Sequence, residues 1–290
     1  MAGSMKFSIL DASQAFWQIR LSEDSVKYTT FNTPYGRYCF LRMPYGISSA
    51  PEVFHRCFSQ IFSDIKGVEI FIDDLMIHAK DDKEHDEILN KVFERAREHA
   101  IRFNRNKSKI GLDEVKYIGH IFSGKGIKVD NEKIQAIVEM KKPGNVKSLE
   151  SFLGMITYVS RYIPNVSHLT APLKQLIKKD VVWCWNDEHD RAFEQLKKIL
   201  IKEPVLKYFD PSKPITVSVD ASGEGLGAVL LQDNLPVAYA SKALNLTQQA
   251  YAQIEKETLA IVFGCERFHQ YIYGKNFIVE SDHKPLEAIF

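Results

Sequence analysis

Between Val68 and Ile77 the chain reads Val-Glu-Ile-Phe-Ile-Asp-Asp-Leu-Met-Ile, two apolar runs flanking adjacent aspartates. That pattern predicts a β-hairpin with Asp73 and Asp74 at its tip. Asp-Asp is not a favoured two-residue hairpin turn, for which Asn-Gly or Asp-Gly is the usual choice. A local rule broken between two good strands marks a candidate functional site; the plainer alternative is a solvated acidic turn.

The same patterning organises the rest. Phe7–Leu10 is a short strand running into Asp11, and Asp11–Ile19 reads as a turn and a short helix. Tyr28–Phe40 alternates around Pro34-Tyr35-Gly36, a second hairpin signal. Ser48 or Ser49 can cap a helix carrying Pro51, Val53, Phe54, Cys57, Phe58 and Ile61 at helical spacing. A helix follows over about 82–100, with Ile88, Leu89, Val92, Phe93 and Ala96 on one face, and then a strand pair over Val115–Phe122. Strands, helix, strands, helix, strands is an α+β arrangement. From Asp130 the period turns helical. Asp130, Ser148 and Asn186 are the expected caps of three helices, with Pro143-Gly144 and Pro164 ending the first two. After residue 206, Ile215–Asp220 alternates strictly and strands near Ala228–Leu231 and Val237–Ser241 follow. A helix over about 252–271, a strand Phe277–Asp282 and a helix opened by Pro285 complete the pattern.

Composition changes this picture little. The chain has 290 residues, 45% hydrophobic and 26% charged, enough for two or three domains. No apolar run approaches the roughly 18 residues of a membrane span, so no membrane partner is expected. Cys39, Cys57, Cys184 and Cys265 are far apart and lack metal-binding spacing, which points to a reducing, intracellular compartment. The net charge of +1 is uninformative, but residues 124–205 carry 14 basic and 10 acidic side chains, and residues 206–290 carry 7 and 10. Arg102, Arg105, Lys107 and Lys109 cluster without an acid; they can track a phosphate backbone or form a solvated helix end.

Asp11 ends one strand and Asp73-Asp74 sit on a hairpin. If these strands are neighbours, three carboxylates converge as a two-metal phosphoryl-transfer site requires. Asp11 taken alone reads as a helix cap rather than a metal ligand. In the last segment Asp220 lies on the polar face opposite Ile215, Val217 and Val219. Glu257 has Ile254, Ala260 and Ile261 as helical neighbours, so its carboxylate points inward and needs a partner or a metal; Asp282 ends another strand.

Leu10–Ile19 (LDASQAFWQI), Met43–Phe54 (MPYGISSAPEVF), Phe71–Asp74 (FIDD) and Tyr117–His120 (YIGH) come in order. They closely resemble the palm motifs of the reverse transcriptases of gypsy-type LTR retrotransposons. Val219–Ser222, Glu255–Ile261 and Ser281–Pro285 are similar to three successive RNase H motifs of the same elements. The resemblance implies an α+β multidomain chain. Residues 1–4 read as an expression scar, 5–123 as a palm lacking its fingers, 124–205 as a helical thumb or connection, and 206–290 as a C-terminally truncated RNase H-like α/β domain. It further implies that Asp11, Asp73 and Asp74, and separately Asp220, Glu257 and Asp282, are catalytic metal ligands for Mg²⁺, with Mn²⁺ as an alternative. Phe16 matches an aromatic steric gate, otherwise a core aromatic, and Tyr45 and Gly46 match the support of the incoming nucleotide. Lys107 matches a lysine near the pyrophosphate, with Lys109 as its competitor. Tyr117, Ile118, Gly119 and His120 match a primer grip that positions the 3′-hydroxyl. Phe71 departs from the family, which usually has Tyr there. The implied partners are dNTP, primer-template and RNA/DNA hybrid, in a cytoplasmic virus-like particle or the nucleus, with further polyprotein segments or an oligomer completing the enzyme. The truncated chain alone is expected to be inactive. The competing expectation is a domesticated or degenerate remnant that binds nucleic acid or protein without catalysis.

Overall fold

The computed structural model describes all residues except 180, 203, 284 and 286–290, and it divides into two compact units, Met1–Gly124 and Lys125–Phe290. In the first unit the chain runs through β1 (Lys6–Asp11), the short helix α1 (Glu23–Val26) and the hairpin β2 (Phe31–Thr33) and β3 (Gly36–Tyr38). It continues with α2 (Ala50–Phe62), β4 (Val68–Phe71), β5 (Asp74–Ala79) and α3 (Asp82–Glu98). The strands β6 (Lys109–Leu112), β7 (Glu114–Tyr117) and β8 (His120–Ser123) complete the unit.

Its central sheet has the order β4-β5-β1-β6 and its pairings are antiparallel. Leu10 lies opposite Leu75, and both face a core filled by Phe54, Phe58 and Phe62 from α2 and by Ile88, Val92 and Ala96 from α3. The spacing of four in Phe54, Phe58 and Phe62 lines three rings along one helix face, the first pair stacked and the second edge-to-face, with centroids 5.1 and 4.9 Å apart. Although Ser49 occupies the N-cap position of α2, it is in the αR conformation and its side chain makes no capping bond; Pro at the first turn starts the helix instead. Asp81, by contrast, caps α3 by accepting from the Glu84 amide.

The second unit opens with β9 (Gly126–Val129) and the helices α4 (Asn131–Val138), α5 (Val146–Val159), α6 (Val166–Gln175) and α7 (Asp187–Ile201), followed by β10 (Val205–Leu206). Asp130 caps α4 and Asn186 caps α7, each through its carboxamide or carboxylate oxygen. Ser148 is not the cap of α5. That position belongs to Asn145, and Ser148 is the third helical residue of a reciprocal capping box. Helix α6, with Pro172 inside it, is absent from the sequence expectation because a proline within a run reads as a breaker. These helices bury Leu149, Phe152, Ile156, Phe193, Leu196 and Leu200 in one core that also takes Leu206.

A second core lies under the sheet built from β11 (Thr216–Ala221), β12 (Gly225–Gln232), β13 (Leu235–Ala243) and β14 (Ile278–Glu280), in the order β13-β12-β11-β14. The β12–β13 turn is Asp233-Asn234, both at positive φ, as a type I′ hairpin requires. Between β13 and β14 run α8 (Leu246–Gln249), α9 (Gln253–Arg267) and α10 (His269–Ile272), so the expected single helix is interrupted at Phe268. The expected helix after Pro285 lies outside the described residues. Among the described residues no helix is long and apolar enough to cross a membrane.

Candidate active sites

In the first unit the register of β1 and β5 sets Asp11 directly opposite Asp74. The turn is not Asp-Asp. It is Ile72-Asp73, with Asp74 already in β5 and paired to Phe71, so one acid sits in the turn and the other on a strand. Ile72 adopts φ 55°, a left-handed conformation that a β-branched residue rarely takes. The Asp73 carbonyl accepts from the Ala12 amide at 2.9 Å, which ties the turn to the end of β1.

The electrostatics show how near these acids are. Burial first, then repulsion from Asp73 and Asp11, raises the Asp74 carboxyl above its ordinary range, with Lys107 opposing. Lys107 Nζ stands 3.6 Å from Asp11 Oδ2, while Lys109 belongs to β6. Of the two candidate lysines, Lys107 is the one that faces the acids. It is placed by an Asx turn in which Asn104 Oδ1 accepts from the amides of Asn106 and Lys107. Gln18 fastens this segment by giving Nε2 to the Ser13 and Arg102 carbonyls and accepting the Arg102 amide at Oε1. Nothing in the sequence pattern singled out Gln18.

Phe16 is half-buried, with ring centroids 5.2 Å from Tyr45 and 6.0 Å from Phe54. It therefore joins both the core and an open aromatic surface. That surface leads into a recess of about 400 Å³ lined by Trp17, Tyr28, Phe31, Phe40, Pro44 and Tyr45. Gly46 follows at φ 92°, a conformation suited to glycine.

Tyr117 to His120 do not act as one exposed element. Ile118 and Gly119 form a turn at positive φ and Ile118 is exposed, whereas Tyr117 is buried. The Tyr117 hydroxyl reaches the Glu69 carbonyl at 3.4 Å and the Asp74 carbonyl at 3.5 Å, and burial pushes its pKa up. A strand-edge tyrosine turned inward is a strut between β7 and the acid-bearing strands.

In the second unit β11 and β14 are parallel, and the pairs Thr216–Ile278 and Ser218–Glu280 carry forward to bring Asp220 abreast of Asp282. Helix α9 packs across β11 and β12 and presents Glu257, only 3% exposed. Gly264 permits this approach, because a Cβ there would lie 2.9 Å from Val219 Cγ1 and 3.2 Å from Val217 Cγ1. One ligand atom each from Asp220, Glu257 and Asp282 lies within 4.8 Å of the others. Asp11, Asp73 and Asp74 do not close to that distance; this trio is the one that does among the described residues.

Glu257 is held by Gln253, whose Nε2 donates at 2.7 Å to Oε1 and at 2.9 Å to the Ala221 carbonyl. The other oxygen, Oε2, is buried with no hydrogen-bond partner. An orphaned buried carboxylate oxygen is costly unless protonated or bound to a cation. Accordingly burial raises the Glu257 pKa, with Asp282 and Asp220 adding to the rise, while the Gln253 hydrogen bond and His283 oppose it. The donor set is all oxygen, which suits a hard divalent cation. A recess of about 100 Å³ adjoins Asp220, with Asn165, His168, Ser222 and Ser241 in its wall.

Residues 1–122 match the family model of the reverse transcriptase (RNA-dependent DNA polymerase), and residues 185–279 match that of the RNase H-like domain found in reverse transcriptase. Asp282 lies just beyond the second match. The chain is 34% identical over 283 residues to the retrovirus-related Pol polyprotein from transposon 297 of Drosophila melanogaster, covering 97% of this chain and 27% of that protein. It is 36% identical to that from transposon 412 of the same organism, over 98% of this chain and 23% of that protein. It is 34% identical to the Tf2-3 transposon polyprotein of Schizosaccharomyces pombe, over 98% of this chain and 22% of that protein. The chain thus spans about a quarter of these relatives' length. Two solved structures of a foamy viral protease-reverse transcriptase share its fold. One, in complex with double-stranded DNA, has a TM-score of 0.89 at 24% identity over 98% of this chain and 51% of that one. The other, with an RNA/DNA hybrid, has a TM-score of 0.83 at 25% identity over 96% and 38%.

Proposed function

Since the chain belongs to the reverse transcriptase family, its polymerase represented by residues 1–122 and its RNase H-like domain by residues 185–279, we propose that it carries two divalent-cation sites. The first is for nucleotidyl transfer from dNTP to a primer on an RNA or DNA template. The second is for endonucleolytic hydrolysis of the RNA strand of a hybrid. The observation that carries this reading is the Asp220–Glu257–Asp282 trio, with its orphaned Glu257 Oε2 inside a 4.8 Å cluster. Asp220, Glu257 and Asp282 would hold Mg²⁺, or Mn²⁺ in its place, which would supply Lewis-acid stabilisation of the charge that develops on the reacting oxygens.

The chain's own residues do the rest. In the second unit Gln253 orients Glu257 by taking Oε1, which leaves Oε2 for the ion. Asp220 and Asp282, abreast on parallel strands, hold the opposite side. In the first unit Asp11 and Asp74 face each other across a strand pair and Asp73 stands in the turn, so cation binding would draw the three together. Held there, a cation would offset the repulsion from Asp73 and Asp11 that adds to burial in raising Asp74. Lys107, beside Asp11, would offer a positive charge to a phosphate. Phe16 and Tyr45, with ring centroids 5.2 Å apart, present an aromatic wall suited to lie against a nucleotide's sugar. We further place these roles inside the cell, in a particle or the nucleus.

Binding of a fluorescent RNA/DNA hybrid by the whole chain tests this function, with and without Mg²⁺. We expect a cation-dependent rise in affinity that Glu257→Gln abolishes. Binding indifferent to Mg²⁺ and to Glu257 would count against the hydrolytic site.

A further inference from the structure

The turn that carries Asp73 and leads into Asp74 contains a backbone conformation ill suited to its residue, Ile72 at φ 55°. Such a conformation persists where the surroundings determine it, and it gathers at functional sites. Two hydrogen bonds determine it here. On one side the Asp73 carbonyl accepts from Ala12 at the end of β1. On the other, the Ile72 amide donates at 3.2 Å to Nδ1 of His55, a half-buried residue on α2. An accepting Nδ1 requires a neutral ring with its proton on Nε2.

We infer that His55 is a positioning residue for the Asp11–Asp73–Asp74 cation site, acting through the Ile72 amide and touching neither ion nor nucleotide. The inference rests on the polymerase reading given above. Helix α2 is anchored in the core by Phe54 and Phe58 on either side of His55, so the ring stands on a rigid element. From there it fixes the one backbone amide whose orientation decides where the next two carboxylates project. Without this acceptor the amide turns to water and the isoleucine relaxes toward negative φ. The turn then carries Asp73 away from the register that sets Asp74 against Asp11. Removing an outer partner of this kind typically weakens metal affinity by about tenfold or more, although no ligand is changed.

The test uses the full chain in an Asp220→Asn, Glu257→Gln background, which silences the other acidic site. Mn²⁺ affinity is read by electron paramagnetic resonance, and exchange of the Ile72 amide by hydrogen–deuterium mass spectrometry. In His55→Leu we expect Mn²⁺ affinity to fall about tenfold and Ile72 exchange to accelerate. His55→Gln, whose carbonyl oxygen can accept the same bond, should restore both to within about twofold of the parent. Nitrogen-detected correlation spectra of the unsubstituted chain should show His55 protonated at Nε2. A proton on Nδ1, or unchanged exchange and affinity in His55→Leu, would overturn the inference alone. Absence of any Mn²⁺ binding by the parent at this site would overturn the cation reading together with the function on which it rests.

Discussion

Glu257 concentrates the physics of the second site in one residue. Its folded-state pKa lies above its unfolded value because burial and two neighbouring acids disfavour the charge. Below the ordinary glutamate range both states are protonated, so the folded state suffers no penalty. As pH rises through the window between the ordinary and the raised value, the folded state resists losing a proton that the unfolded state gives up, and stability is lost. In a chelator the chain should therefore grow less resistant to urea as pH passes upward through that window, and Glu257→Gln should flatten the profile. Added Mg²⁺ should restore the parent above the window and stabilise the variant less. A parent profile that is flat there would show that the carboxyl is not strained. The inward direction of Glu257 was legible in the sequence from its apolar helical neighbours. The role of Gln253 was not, because a glutamine four residues upstream on a helix looks like ordinary polar surface until the sheet behind it is known.

At the scale of elements, the acids owe their places to strand register and helix packing. Asp11 and Asp220 were recognisable as residues at the ends of strands, whereas β14 stops at Glu280 and Asp282 lies two residues beyond it, not in the strand expected over Phe277–Asp282. The pairing of Asp11 with Asp74 depends on β1 inserting between β5 and β6, a non-local arrangement that alternation alone cannot express. The turn was misjudged by one residue for the same reason: both apolar runs fit a tip at Asp73-Asp74, and only the ladder shows that Asp74 pairs with Phe71. Capping expectations held where the side chain was free to reach an amide, as with Asp130 and Asn186, and failed at Ser49, where proline already starts the helix. Helix α9 depends on Gly264 for its approach to β11. Gly264→Ala should destabilise the fold by about 1–3 kcal/mol through overpacking against Val219 and Val217. It should also weaken Mg²⁺ binding at Asp220, because lifting α9 withdraws Glu257. Urea unfolding and calorimetric titration of the same sample check both effects, and unaltered stability would show that the helix has slack.

At the scale of the whole molecule, four ordered motifs in the first 120 residues and three in the last 75 or so identified the family from sequence, whereas composition and charge did not. Folding adds the distinction between the two acidic groups. One is already drawn together around an unsatisfied oxygen, and the other is spread across a strand pair and a strained turn with a lysine among the carboxylates. A cation should therefore bind the first with little rearrangement and the second only as the turn and Lys107 adjust. The most direct measurement is an Mn²⁺ titration of the whole chain followed by electron paramagnetic resonance. The account predicts two separable classes of bound ion, the tighter lost in Asp220→Asn and the weaker lost in Asp73→Asn. Binding that survives both substitutions unchanged would contradict it.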